Sequence, residues 1–426
     1  MRSSGQEEAA RTVVPEARPF AAWFALAVAF AVVHTVLALI NVYDTQHLPF
    51  GDVIHVYRFW MQYAQDNGVL VGIDTSWVYP VGALLPMGFA YLLGPDHYGV
   101  LWLVLVTALD AAAIVVLARR RRAAAWWWLA FLAALGPVAL ARIDAVTAPL
   151  AILAAVWLIE RPAVAGALLT LAAWIKVWPA AMVGAALIAL RSWLQVAIGA
   201  LLVTAGVLLA ALALGGGAGV FGFVFEQTGR GLQVEAPVSA WWLWAAMLGL
   251  DGSVYYDTDI LTYQIAGPGA EAVAAIMTPV LAVVVGVIVA LGLLARRRDA
   301  ESVQLVGELS LALVLALIVV NKVGSPQFQG WLAAPVILLM LHTGMRAVSA
   351  RALAVLVVAA ATQYVYPWMY SGVIAAQPLE VVVLTARNIA LIALLAVSVV
   401  RLWALAWNAE GAATVSHDTV DAVKPT

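Results

Sequence analysis

Apolar runs long enough to cross a lipid bilayer recur along this chain from residue 20 to about residue 407. A spanning α-helix needs roughly 20 mostly apolar residues, because its backbone groups must be hydrogen-bonded within the segment. Hydrophobic residues make up 65% of the chain, and charged residues only 11%. The runs are continuous and lack the alternation of outer-membrane barrel strands. The sequence therefore predicts an all-α polytopic membrane protein.

Basic residues at the ends of the apolar runs predict the topology. They all lie on the cytoplasmic side if the chain has about twelve spans, and both termini then face the cytoplasm. The predicted spans are 21–42, 98–118, 124–141, 145–160, 163–176, 178–190, 194–213, 270–295, 303–320, 329–343, 351–366 and 381–401. Residues 79–94 would be a re-entrant or juxtamembrane helix, because counting them as a span would place the arginines at 119–122 outside.

The predicted spans form a single transmembrane domain over residues 20–407. Its two large outward loops are residues 42–97 and 214–269, while the polar ends 1–19 and 408–426 are expected to be disordered and cytoplasmic. The net charge of -2 and the scattered basic residues give no nucleic-acid footprint. The absence of cysteine excludes disulfides, iron–sulfur clusters and thiolate zinc sites.

Residues 51–57 (GDVIHVY) form the most polar part of the first outward loop. Asp52 could act as a general base or could cap the helix that follows it. His55 and Tyr57 follow it closely and could line a sugar site, although a packed loop histidine is an equal alternative. Asp44, directly after the first span, is predicted to be an interfacial cap.

Four cations lie close to the predicted outer face: Arg142, Lys176, Arg230 and Lys322. Arginine and lysine pair strongly with phosphate where water is partly excluded. A phosphate site is one interpretation of this group. The alternatives are that Arg142 pairs with Asp144 and that Lys176 extends to the lipid headgroups.

Two charged residues, Asp110 and Arg387, fall inside predicted spans, where a charge normally faces a partner. The simplest expectation is an Asp–Arg structural pair, whereas Arg387 with Asn388 could instead approach a lipid phosphate. The tryptophans at 126–128 and 241–242 are predicted to anchor the protein at the membrane surfaces. The outer pair, 241–242, could also stack on a sugar ring.

Five segments carry a family resemblance. They are residues 51–57, Tyr79-Pro80 with Pro86, residues 166–179 (GALLTLAAWIKVWP), residues 230–235 (RGLQVE), and residues 321–328 (NKVGSPQF) with Trp331. In this order the chain resembles the GT-C glycosyltransferases, and among them the polyprenol-phosphate-mannose-dependent mannosyltransferases of family 87, of actinobacterial type. Two positions depart from the family pattern, with Val81 in place of a second proline and Phe328 in place of tyrosine.

The resemblance implies a GT-C-like bundle of about twelve transmembrane helices, with outward-facing juxtamembrane helices and loops. It implies Asp52 as the catalytic base of an inverting transfer, with no metal and no cofactor. The implied donor-phosphate residues are Lys176, Arg230, Lys322 and Arg142, and the implied substrate-binding residues are His55, Tyr57, Gln233, Glu235 and Gln327.

The predicted function is transfer of a sugar on the outer face of the plasma membrane. Nucleotide sugars are not available there, and Gly215-Gly216-Gly217 is not followed by the Gly-Lys-Ser/Thr of a P-loop. The expected partners are therefore a polyprenyl-phosphate-linked donor, a lipid or glycan acceptor and membrane lipids. Mannose is the expected sugar, and arabinose remains open. The alternatives are a secondary transporter or lipid flippase, and a non-catalytic scaffold or lipid-binding subunit.

Overall fold

The computed structural model describes residues 19–226 and 229–420, with side chains up to residue 407. Within these residues the chain is mostly helical. The α-helices are α1 Pro19–Tyr43, α2 Arg58–Asn67, α3 Leu84–Ala90, α4 Tyr98–Arg120, α5 Arg122–Leu135, α6 Asp144–Trp157, α7 Pro162–Ile175, α8 Ala180–Ala189, α9 Trp193–Ala213, α10 Ala240–Met247, α11 Ala270–Arg297, α12 Ser302–Val319, α13 Ala333–Thr343, α14 Met345–Gln363, α15 Tyr370–Ile374 and α16 Pro378–Val420. Most of the predicted N-terminal tail, residues 1–18, lies outside the described residues, whereas α16 extends into the predicted C-terminal tail.

Eight of the described helical segments are long and apolar enough to cross a membrane. They are Phe20–Tyr43, Pro95–Arg120, Arg122–Ala139, Trp193–Ala213, Ala270–Arg297, Ser302–Val319, Met345–Trp368 and Pro378–Trp407. The predicted spans 145–160, 163–176 and 178–190 correspond to α6, α7 and α8, which have only 14, 14 and 10 residues. At 1.5 Å per residue such helices cover only part of a hydrocarbon core of about 30 Å. The protein is thus a helical membrane protein, and the count of about twelve spans remains a prediction.

The segment predicted to be re-entrant is broken and short. After Pro80 the chain makes a 3₁₀ turn over Val81–Ala83 and then the seven-residue helix α3. This length is too small to cross a bilayer. The side of the membrane on which the segment lies remains a prediction.

The helices divide into an inner and an outer set. In the most apolar window of α12, 72% of the residues are buried, whereas the corresponding share is 17% for α1, α9 and α11. Short helix α7 packs against α9 at two glycines. A Cβ atom on Gly166 would come within 2.4 Å of the Val196 carbonyl oxygen, and one on Gly199 within 2.0 Å of the Ala163 carbonyl oxygen. Only residues without a side chain permit this approach.

The large outer loop contains the strands of the described fold, which the all-α prediction did not anticipate. Strands β1 Ser253–Asp257 and β2 Thr262–Ala266 form an antiparallel hairpin in which Tyr256 lies opposite Tyr263. The two segments, SVYYD and TYQIA, are rich in tyrosine and β-branched residues, which favour strands. The hairpin was missed because its two five-residue strands are too short to change the hydropathy pattern of the loop.

The tryptophan clusters are only partly at the surface. Trp241 on α10 is 75% exposed, as expected for a membrane-surface anchor. Trp242 is buried and donates a hydrogen bond to the carbonyl oxygen of Pro268. Trp127 and Trp128 are also buried. The anchoring prediction is therefore wrong for these three residues: Trp127 and Trp128 pack inside the helix bundle, and Trp242 packs against residues of the large loop.

The charged residues inside the spans do not pair with each other, so that expectation is wrong. Asp110 on α4 pairs with His34 on α1, with 3.1 Å between Oδ2 and Nε2. Arg387 on α16 pairs with Glu235 of the outer loop at 2.8 Å, and its guanidinium also contacts the Asn388 side chain. Arg387 is thus buried among protein groups and does not reach a lipid phosphate.

Candidate active site

Asp52 lies at the first position of a π-helical turn, Asp52–Tyr57, which leads directly into α2. The residue at the cap position of this turn is Gly51, and Asp52 makes no side-chain capping bond. Its Oδ2 atom instead lies 3.1 Å from Nε of Arg142. The Asp52 side chain keeps 37% of its surface exposed, so a substrate can reach it.

Arg142 is buried in the connection between α5 and α6, and its guanidinium is occupied by protein partners. Nη1 donates to the carbonyl oxygens of Pro49 and Ala141, both at 2.7 Å, and Nη2 donates to the Tyr366 hydroxyl at 2.6 Å. Burial alone would lower the pKa of Arg142, but the Asp52 carboxylate and Tyr366 hold that pKa above its ordinary value. The predicted pair with Asp144 is not formed, because Arg142 holds Asp52 instead.

Tyr57 is fully buried, and its hydroxyl accepts a hydrogen bond from the backbone N–H of Ile143 at 3.2 Å. Its ring packs against Trp60, Tyr79 and Trp102. Burial is the main cause that raises the pKa of Tyr57. The structure therefore favours a positioning role, in which the Tyr57 hydroxyl connects the Asp52 turn to the backbone next to Arg142.

Lys176 directly follows α7, where the backbone becomes extended. Its Nζ atom lies 4.5 Å from the centre of the Tyr79 ring and 6.0 Å from that of Phe328. Such placement over aromatic faces stabilises a lysine cation. The side chain is half-buried over these rings, which does not match the alternative in which it extends to the headgroups.

Arg230 and Lys322 come from two connecting segments that are joined by a backbone hydrogen bond, in which Gln233 N–H donates to the Lys322 carbonyl oxygen at 3.0 Å. Burial lowers the pKa of Arg230. Burial, together with the positive charge of Arg230, lowers the pKa of Lys322. Two neighbouring cations disfavour each other's positive charge, so a bound anion would be stabilised between them.

The remaining predicted substrate residues differ in their surroundings. Glu235 is buried in its pair with Arg387, so it connects the outer loop to α16. Gln233 is also buried, and its Oε1 atom has no hydrogen-bond partner among the described residues. Gln327 is half-buried in the 3₁₀ turn Pro326–Leu332, and His55 is exposed. Only the last two are placed so that a substrate could reach them without rearrangement.

Tyr79 connects the predicted residues to one another. Its ring packs edge-on against Tyr57, lies under Lys176 and is within electrostatic range of Arg230. Tyr79 therefore links the Asp52 turn, through Tyr57, to Lys176 and Arg230, and Lys322 is within electrostatic range of Arg230. The sequence did not single out Tyr366, whose hydroxyl accepts a hydrogen bond from Arg142; the available signal was its place in the aromatic-rich stretch 364–370 (YVYPWMY).

Two cavities lie near this region, and Asp52 lines neither of them. The larger, of about 360 Å³, lies between the hairpin and the start of α11, and it borders the Arg230 loop through Gly231 and Leu232. The smaller, of about 20 Å³, is lined by Asp110, Asp144 and mostly apolar residues. Among residues 19–226 and 229–420, no group of three or more His, Asp or Glu could hold a metal ion.

Comparison with known protein families identifies the chain. The profile of glycosyltransferase family 87 matches residues 77–321. The chain belongs to glycosyltransferase family 87. Searches among curated proteins and among solved structures gave no match. The predicted family resemblance is thereby confirmed, and the protein is a glycosyltransferase with membrane helices.

The family 87 match covers part of the candidate site. It includes Tyr79, Arg142, Lys176 and Arg230, whereas Asp52 precedes it and Lys322 directly follows it. Membership of a glycosyltransferase family favours an enzyme over the transporter and scaffold alternatives. Glycosyl transfer requires a base that takes the proton of the acceptor hydroxyl, and an accessible carboxylate such as Asp52 is a candidate for that base.

Proposed function

We propose that this family 87 protein is an inverting transferase that moves mannose from a polyprenyl-phosphate donor to a lipid or glycan acceptor of the cell envelope. The reaction takes place on the outer face of the plasma membrane, in a bundle of about twelve spans. One observation carries the proposal. An accessible carboxylate, Asp52, is held at 3.1 Å by buried Arg142. Tyr79 packs against Tyr57 of the same turn, and the cations Lys176 and Arg230 lie around Tyr79.

Asp52 acts as the general base in this mechanism. Arg142 holds its Oδ2 atom, and the carboxylate takes the proton of the acceptor hydroxyl as that oxygen attacks the anomeric carbon. The bond between the anomeric carbon and the phosphate oxygen breaks, and polyprenyl phosphate leaves with the electron pair. Attack opposite the leaving group converts a β-linked donor into an α-linked product.

One carboxylate is sufficient for this transfer. Glycoside hydrolysis uses two, because its leaving alcohol must be protonated. A phosphate leaves readily as an anion and needs stabilisation of its negative charge instead. Arg230 and Lys322, which reinforce each other's positive field, and Lys176 on the Tyr79 ring supply that stabilisation.

The choice of a lipid-linked donor rests on the proposed location of the site on the outer face of the membrane. Nucleotide sugars are absent outside the cytoplasm, whereas a polyprenyl phosphate presents its anionic group at the membrane surface. Mannose is preferred over arabinose on the family resemblance. Exposed His55 and half-buried Gln327 are the substrate contacts that require no rearrangement.

A transfer assay with the purified protein in liposomes tests the proposal. The protein is supplied with polyprenyl phosphate mannose or polyprenyl phosphate arabinose and with lipid extract as acceptor, and labelled product is measured. We expect product from the mannose donor in the native protein and at least about 100-fold slower product formation in Asp52→Asn. Product from arabinose alone would overturn the choice of sugar, and failure of folded protein with both donors would overturn the donor class.

A further inference from the structure

A cavity of about 360 Å³ lies between the hairpin of the large loop and the first turn of α11. Small-molecule sites in proteins usually measure about 300–1,000 Å³, so this volume is sufficient for part of a substrate. Asp52 does not line the cavity, whereas Gly231 and Leu232, the two residues after Arg230, do. The cavity therefore borders the candidate site, and the proposed mechanism does not use it.

Two polar side chains line the cavity, Tyr255 of β1 and Glu271 of α11. Tyr255 is 43% exposed and Glu271 is also exposed, so a ligand can reach both. Burial and then the negative charges of Asp257 and Glu271 raise the pKa of Tyr255, so both carboxylates act on its hydroxyl. An aromatic ring beside a carboxylate offers an apolar face to the C–H groups of a sugar and an acceptor to its hydroxyl groups.

The first turn of α11 supplies hydrogen-bond donors. Ala270, Glu271 and Ala272 line the cavity, and no side chain of the described residues caps the helix. The first N–H groups of a helix have no acceptor within the helix. The Ala270 N–H donates to the Gly267 carbonyl oxygen at 3.1 Å, which leaves the N–H groups of Glu271 and Ala272 without a bond from the described residues.

The wall at Gly231 contains an unsatisfied acceptor. Gln264 pairs with Tyr255 across the hairpin, so the two side chains lie on the same face. Gln264 is 2% exposed, and its Oε1 atom has no hydrogen-bond partner among the described residues. This atom is so close to Gly231 that a Cβ atom there would lie 2.0 Å from it. A buried acceptor without a partner is costly, which indicates that a ligand supplies a donor beside this wall.

The charges around the cavity disfavour an anion as its ligand. Glu271 belongs to the lining, and the Asp257 carboxylate acts on Tyr255 of the lining. A phosphate bound here would meet two negative charges, although helix N-termini commonly bind phosphate. A neutral ligand rich in hydroxyl groups avoids this repulsion and can use the donors and the acceptors together.

We propose that the cavity binds a neutral sugar unit of the acceptor, so that the acceptor is a saccharide of at least two units. This sugar is not the one that reacts, because Asp52 does not line the cavity. Arg230, which precedes Gly231, is within electrostatic range of Tyr79. Tyr79 in turn packs against Tyr57 of the Asp52 turn, which connects the two places. The inference rests on the proposed glycosyl transfer and chooses a glycan over a sugar-free lipid as acceptor.

Saturation-transfer NMR with the purified full-length protein in nanodiscs tests the proposal. The probes are α-linked mannobiose and arabinobiose, with the matching methyl monosaccharides as references. We expect the native protein to bind one disaccharide about tenfold more tightly than its monosaccharide. Tyr255→Leu and Glu271→Ala should each weaken disaccharide binding about tenfold, the loss expected when a well-formed polar contact is removed.

Tyr256→Leu and Asp259→Asn are the matched controls. Tyr256 follows Tyr255 on the opposite face of β1 and is 46% exposed. Asp259 is an exposed acid of the same hairpin, and neither residue lines the cavity. Both control variants should bind the disaccharide as tightly as the native protein does.

A native protein that binds neither disaccharide, or equal binding by Tyr255→Leu and Tyr256→Leu, would overturn the proposal. Displacement of the disaccharide by inorganic phosphate would assign the cavity to an anion and would also overturn it. Failure of the proposed function gives a different result. A native protein that binds the disaccharide but transfers no sugar from either lipid-linked donor would contradict the transfer and would still support the saccharide site.

Discussion

Asp52 and Arg142 come from two connecting segments far apart in the sequence and meet as an ion pair, with Oδ2 and Nε 3.1 Å apart. The guanidinium also contacts Pro49, in the loop just before Asp52, and Tyr366, in the segment after α14. Three parts of the chain thereby converge on one carboxylate. This convergence fixes the position of Asp52 while leaving its side chain partly exposed.

The first prediction concerns the base. Asp52→Asn should lower the transfer rate by about 100-fold to 10,000-fold, which is the usual contribution of general base catalysis, while the protein stays folded. The assay is product formation in liposomes, with thermal unfolding as the folding check. Asp44→Asn is the control, because Asp44 accepts hydrogen bonds from Gln46 and His47 within its own turn and should affect transfer little. Near-native turnover of Asp52→Asn would remove Asp52 from the mechanism.

The second prediction concerns the donor phosphate. A charge-assisted hydrogen bond in a partly dry site contributes on the order of 1.5 to 3 kcal/mol, so Arg230→Gln and Lys176→Gln should each reduce kcat/KM for the donor about tenfold to a hundredfold. Arg120→Gln is the control, because Arg120 forms an exposed pair with Glu160 and contacts none of the candidate site residues. Equal effects of all three substitutions would show that the phosphate binds elsewhere.

The third prediction concerns topology. If the segment containing α3 does not cross the bilayer, residues 66 and 96 lie on the same outer side. Both positions are exposed, and the chain has no cysteine, so Asp66→Cys and Asp96→Cys give single labelling sites. We expect an impermeant thiol reagent added to intact cells to label both. Labelling at 66 with protection at 96 would mean that the segment crosses the membrane.

The fourth prediction concerns the connection between the outer loop and α16. Arg387→Met leaves the buried Glu235 carboxylate without its cation, which should cost about 3–5 kcal/mol of folding free energy. Thermal unfolding of the purified protein should therefore shift to clearly lower temperature. The double variant Glu235→Gln with Arg387→Met should recover part of the loss, because no unpaired charge remains. An unchanged unfolding temperature in Arg387→Met would contradict a stabilising role for the pair.

The sequence was sufficient for the class of protein and for its family. Spanning runs depend only on local composition, and the segments at 166–179 and 230–235 are local patterns that survive in a single chain. The structure adds a reason for Gly166, whose missing side chain lets α7 touch α9. The broken segment after Pro80 was also predictable, because the apolar stretch is short and contains two prolines, Pro80 and Pro86.

The partners of the charged residues were decided only by the tertiary structure. The sequence suggested Arg142 with Asp144 and Arg387 with Asp110, whereas the fold pairs Arg142 with Asp52 and Arg387 with Glu235. Hydropathy and spacing place a charge on an element but do not say which elements become neighbours. That choice follows from helix packing over long distances in the chain, so the partners of Asp52 could not be predicted from the sequence, in which its motif marks it only as a candidate.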